Sequence, residues 1–102
     1  MYKVLIIDDE EPAREAVKIL VDWDSINVYE VFEAWDGENG IRLIEEKKPD
    51  IILVDMKMPG MGGMELLQLI ESRYPDLAII VISGYDNYEY THQAIHSKVI
   101  DY

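Results

Sequence analysis

The chain has 102 residues, 21 of them acidic and 9 basic, for a formal net charge of -12. That length suits one domain, expected to span residues 1–102, and that charge is the wrong sign for gripping phosphate backbones or anionic lipid, so neither nucleic-acid nor membrane binding is expected of it. The absence of cysteine excludes disulfides, thiolate metal sites and cysteine nucleophiles.

The first apolar run, Val4-Leu5-Ile6-Ile7, reads as a strand and ends in Asp8-Asp9. It is too short and too quickly charged to be a signal peptide, no run is long enough to span a membrane, and a cytoplasmic location is the default expectation. A helix is predicted from about Pro12, with Ala13, Ala16, Val17 and Leu20 as its inward stripe and Asp22-Trp23-Asp24 closing it. A second strand follows at about Val28 to Ala34, then a turn at Asp36-Gly37 and a short helix that presents Ile41 and Ile44 and stops at Lys47-Lys48-Pro49. The third strand, Ile51-Ile52-Leu53-Val54, ends in Asp55.

Met58-Pro59-Gly60-Met61-Gly62-Gly63 reads as a loop, because its glycines and proline disfavour regular structure. Helix resumes from Met64 to about Tyr74, with Leu67, Ile70 and Tyr74 on one face. The fourth strand, Ala78 to Ile82, delivers Ser83-Gly84. Asp86 can cap a fourth helix carrying Tyr88, Thr91 and Ile95. Val99-Ile100-Asp101-Tyr102 looks like the start of a fifth strand. Trp23 and Trp35 read as partial core. His92 and His96 are spaced as metal ligands can be on a helix, but with no third ligand near them a solvated face is the simpler reading. Tyr85, Tyr88 and Tyr90 fit equally a partner surface or a cover over the flank of the sheet.

Strands alternating with helices argue for a parallel sheet with helices on both faces. In such a sheet the ends of the strands lie along one rim, so Asp8, Asp9 and Asp55 can converge on one divalent cation and one phosphoryl group, with the Ser83 hydroxyl beside them. Asp8-Asp9 alone could serve only to cap a helix. Asp55 is harder to explain that way, since a loop follows it.

Taken together, D-D after the first strand, V-D-M-K-M-P-G-M-G-G around the third, I-S-G after the fourth and D-Y at the fifth resemble the receiver domain of two-component response regulators. The block S-G-Y-D-N-Y-E-Y is most similar to receivers that precede AraC-type DNA-binding domains. The resemblance implies a flavodoxin-like doubly wound sheet of strand order 2-1-3-4-5. It implies that Asp55 accepts a phosphoryl group from a sensor histidine kinase. It further implies Mg²⁺ bound by Asp9, Asp55 and the Lys57 backbone carbonyl, with Asp8 acting through water. Ser83 becomes the switch hydroxyl and Tyr102 the switch aromatic, together controlling a transcriptional output domain outside this chain.

Two departures stand out. Gly62 occupies a position where most receivers carry Asp. The family's lysine falls three residues beyond the position of Tyr102, past the last residue, and Lys57 matches the family through its carbonyl and not its ammonium. The chain is therefore expected to be C-terminally truncated, with an incomplete fifth strand, no fifth helix and an exposed edge on the fourth strand, so that it self-associates by edge pairing or swapping. Two other readings compete: a receiver-like scaffold that is not phosphorylated, and a Mg²⁺-dependent phosphohydrolase. A haloacid-dehalogenase-type enzyme needs an acid two residues after its nucleophile, where this chain has Lys57. A flavin module needs a phosphate-binding loop after the first strand, where this chain has acids.

Overall fold

A computed structural model describes residues 1–55, 63–82 and 99–101. Its elements run β1 (Tyr2–Ile7), α1 (Glu11–Leu20), a 3-10 turn (Asp24–Ile26), β2 (Val28–Ala34), α2 (Gly37–Lys47), β3 (Ile51–Asp55), α3 (Gly63–Arg73), β4 (Ala78–Ile82) and β5 (Val99–Asp101). All strand pairs are parallel, and the order is β2-β1-β3-β4-β5, as the doubly wound reading requires. The edge of β4 was expected to stand open. Instead β5 pairs with it, Val99 lying opposite Ile79 and Asp101 opposite Ile80.

The period-2 alternation of the strands divides the core between two faces. Leu5, Ile7, Ile52, Val54, Ile79 and Val81 face one way and pack under Ile44 of α2 and Leu66, Leu67 and Ile70 of α3. Val4, Ile6, Val28 and Leu53 face the other way, toward Val17 of α1 and Trp23. At Gly40 the backbone of α2 lies so close to β1 that a Cβ there would come within 2.6 Å of Ile7 Cδ1. This close approach is what glycine allows.

Three expectations need correcting. Ala16 and Leu20 are exposed, Leu20 at 81%, and the half-buried positions of α1 are Ala13, Arg14, Val17 and Lys18. The helix is turned so that its two cations reach an acid on β2, as described below, and this leaves the 16/20 stripe at the flank. Trp35 is 55% exposed, because strand alternation ends at Ala34 and Trp35 lies in the bend before α2. Trp23, by contrast, packs against the smaller core cluster and donates its indole N–H to the Lys18 carbonyl at 3.0 Å. Finally, Asp36-Gly37 is a helix start as well as a turn: the Asp36 carboxylate accepts the Asn39 N–H at 2.8 Å, and Gly37 is already the first residue of α2. The helix ends on Lys48 in the left-handed region, φ 51°, which directs the chain into β3.

The far end of the sheet is fastened by Asp50. Its N–H donates to the Lys3 carbonyl at 2.8 Å, and its carboxylate accepts the Lys3 N–H at 2.8 Å. β1 and β3 are thus held in register from the end opposite the acids.

Candidate metal and phosphoacceptor site

The register that buries the core also assembles the acids. Ile6 pairs with Leu53 and Ile7 with Val54, so one more step along both strands brings Asp8 beside Asp55. Carboxylate oxygens of Asp8, Asp9 and Asp55 lie within 4.8 Å of one another. The three acids come from two strand ends that are 46 positions apart in sequence at their closest, Asp9 to Asp55.

Each acid has its own surroundings. Asp8 is 8% exposed and is the one buried charged residue among the described residues. Its N–H donates to the Ala34 carbonyl at 3.0 Å, and its Oδ1 accepts the Glu10 N–H at 2.9 Å. Burial pushes the Asp8 carboxyl above its ordinary range. The neighbouring Asp9 acts in the same sense, while the Glu10 N–H and the Arg14 guanidinium act against it. Asp9 Oδ1 is a buried acceptor with no hydrogen-bond partner among the described residues. Asp55 closes β3 opposite Ile82 of β4.

A donor set made only of carboxylate oxygens, with no nitrogen or sulfur, suits a hard cation such as Mg²⁺. A buried acceptor without a donor, beside a carboxyl whose charge is penalised by burial and by its neighbour, is a site whose polar groups gain from a cation. The residues present therefore fit Mg²⁺. Of the other positions singled out from the sequence, Lys57, Gly62, Ser83, Tyr85, Tyr88, Tyr90, His92, His96 and Tyr102 lie outside the described residues.

The sequence reading missed Arg14, which touches this site, and Lys18, which shares its Glu33 partner. Arg14, whose side chain is 13% exposed, donates from Nη1 to the Asp8 carbonyl at 2.7 Å and from Nε to Glu33 Oε1 at 3.1 Å. Lys18 Nζ lies 2.9 Å from Glu33 Oε2 and 2.7 Å from Glu15 Oε1. The available signal was the spacing of four between Arg14 and Lys18, which puts two cations on one helix face, over a single acid in a strand.

The fold and the placement of the acids define a class, and comparison with known proteins gives the same one. The family model for the response regulator receiver domain matches residues 4–102, and the chain belongs to that family. It is accordingly a signalling domain of two-component systems. Among individual proteins, it is 37% identical over its whole length to an uncharacterised response regulatory protein of Staphylococcus epidermidis, and 34% identical to the transcriptional regulatory protein HptR of Staphylococcus aureus. The chain spans 40% of the length of each of those relatives. Among solved structures it superposes on the receiver domain of AraT, a response regulator from Geobacillus stearothermophilus, with a TM-score of 0.89 and 40% identity, covering 99% of this chain and 78% of that one. A two-component transcriptional regulator AraC from Clostridium phytofermentans gives a TM-score of 0.88 at 34% identity, covering 100% of this chain and 79% of that one. Among the described residues, no helix is long and apolar enough to cross a membrane.

Proposed function

We propose that residues 1–102 form one receiver domain in which Asp55 accepts a phosphoryl group from a phosphohistidine of a sensor kinase. The observation that carries this reading is the convergence of Asp8, Asp9 and Asp55 oxygens within 4.8 Å at the ends of two adjacent strands. An Asp55 carboxylate oxygen forms a bond to phosphorus as the N–P bond of the phosphohistidine breaks. The departing imidazole keeps the electron pair and takes up a proton. The product is an acyl phosphate. Phosphoryl transfer asks a protein chiefly for position and charge neutralisation.

Asp9 and Asp55 would hold Mg²⁺ directly, with the Lys57 carbonyl, and Asp8 through water. Bound there, Mg²⁺ supplies neutralising charge to the phosphoryl oxygens. The buried and hydrogen-bonded Asp8 holds its place just after β1, while Asp9 offers a buried oxygen that has no partner among the described residues. Ser83 is the hydroxyl that hydrogen-bonds the new phosphoryl group, and Tyr102 the aromatic that follows the movement. Together they bias a two-state element. The readout is a transcriptional output domain outside this chain, a reading supported by relatives and neighbours named as transcriptional regulators. The reading includes a cytoplasmic location and self-association through the edge formed by β4 and β5 or by swapping. Sedimentation that stays monomeric at every concentration removes the self-association.

The test is a small-molecule phosphodonor or beryllofluoride with Mg²⁺, applied to the wild type and to Asp55→Asn. Modification in the wild type alone is expected. Equal modification of both proteins takes the role from Asp55, and none in either leaves a receiver-fold scaffold.

A further inference from the structure

The loop that carries the acids is short. β1 ends at Ile7 and α1 begins at Glu11, so residues 8–10 bridge a strand and a helix that meet across the edge of the sheet. Helix α1 has no fully buried residue and no side-chain cap at its N-terminal Glu10, so apolar packing alone holds it weakly against the strands. Its firm attachment is polar. The Arg14 fork spans from the Asp8 carbonyl to Glu33 Oε1, and Lys18 takes the other Glu33 oxygen. Glu33 lies on β2 opposite Ile6 of β1, two positions before the acid pair.

We propose that Arg14 is a positioning residue for the cation site: its guanidinium clamps the Asp8 backbone to Glu33 on β2 and so fixes the direction in which Asp8 and Asp9 present their carboxylates. The inference rests on the reading of the acidic cluster as a Mg²⁺ site, and it adds a residue to that site which never touches the ion. A planar fork with several donors suits the task, because one group can hold a carbonyl and a carboxylate at fixed angles.

The sign of the effect separates positioning from simple electrostatics. A cation this near the acids repels Mg²⁺, so removing its charge and nothing else tightens binding. Removing a clamp loosens the ligands and weakens binding. Groups that orient metal ligands in this way typically cost ten- to a hundredfold in metal affinity when lost.

The experiment is calorimetric Mg²⁺ titration of the full chain after treatment with chelator, comparing wild type, Asp9→Asn, Arg14→Met, Arg14→Lys and Lys18→Met, with a urea unfolding curve for each protein. Arg14→Met is expected to bind Mg²⁺ about ten- to a hundredfold more weakly than wild type while still unfolding cooperatively. Arg14→Lys recovers part of the loss. Lys18→Met breaks the same Glu33 network without touching Asp8, and is expected to stay within about twofold of wild type or to bind more tightly. Arg14→Met that binds as tightly as wild type, or more tightly, overturns the proposal. If Arg14→Met does not fold, Arg14→Lys decides: it keeps the charge and loses the fork, so weaker binding than wild type is expected, and unchanged affinity overturns the proposal equally. Wild type that binds no better than Asp9→Asn dismisses the Mg²⁺ site itself, and the role of Arg14 with it.

Discussion

Replacing Asp9 by Asn should make the Mg²⁺-free protein more stable. Oxygens of the three acids lie within 4.8 Å of one another, and Asp9→Asn removes two of the three pairwise repulsions. At that separation one pair of unit charges costs about 0.9 kcal/mol at the dielectric of water and about 3.5 kcal/mol at an effective value of 20. No compensating bond is lost at Asp9 Oδ1, which has no partner among the described residues. Asp8 gains directly from the change, because burial and, with it, the Asp9 charge already push its carboxyl above the ordinary range. The net gain is therefore placed at about 1–3 kcal/mol, or about 4–8 °C in Tm for each kcal/mol in a domain of this size. The assay is thermal and urea unfolding at pH 7 with chelator, repeated with Mg²⁺. In saturating Mg²⁺ the order should close or invert, because a ligand at a hundred times its Kd adds about 2.7 kcal/mol to the protein that binds it and much less to the variant. Asp9→Asn that is no more stable than wild type in chelator refutes the reasoning: the carboxylates would then not be paying a repulsive cost for their proximity.

Three other perturbations probe the scaffold. Gly40→Ala brings a methyl group against fully buried Ile7; overpacking of about 1–3 kcal/mol should exceed the roughly 1 kcal/mol gained in helix propensity, and urea unfolding should show a net loss of up to about 2 kcal/mol. Lys48→Gly relaxes the left-handed residue at the end of α2, and should raise the urea midpoint by an amount equivalent to about 0.5–1 kcal/mol. Glu33 has its carboxyl held below the ordinary value of 4.5, first by the Lys18 hydrogen bond, with burial opposing and Arg14 assisting. A depressed acid contributes stability above its unfolded value and loses it as pH falls through its folded one. Wild type should therefore exceed Glu33→Gln by about 0.5–1 kcal/mol at neutral pH, a modest figure because the side chain is 31% exposed, and the gap should vanish in unfolding curves taken well below pH 4.5.

Periodicity in the chain is strong enough to locate most of its elements. The bounds of β2, Val28–Ala34, and the stops around Lys48 and Tyr74 follow from alternation, from a helix-ending residue before Pro49 and from Pro75, all local effects. The convergence of Asp8, Asp9 and Asp55 was legible for a related reason: each follows an apolar strand, and a parallel sheet has only one rim for such ends. Local pattern also failed at identifiable places. Of the apolar stripe expected on α1, Ala13 and Val17 are half-buried but Ala16 and Leu20 are exposed, and Arg14 and Lys18 share the inward face because Glu33 on another strand offers them charge-assisted bonds. Trp35, expected as partial core, is 55% exposed because β2 ends one residue earlier, at Ala34.

What the sequence by itself determined is the order of elements, the class of fold and the identity of the three acids, since these depend on spacing along one strand or helix. Tertiary structure decided that, among the described residues, Asp8 is the buried acid and Asp9 has a buried oxygen without a partner, and that the loop holding both is tied to β2 through Arg14 and Glu33. Those outcomes depend on which face of α1 meets which strand. That choice is made by contacts between residues far apart in the chain, which no local period encodes.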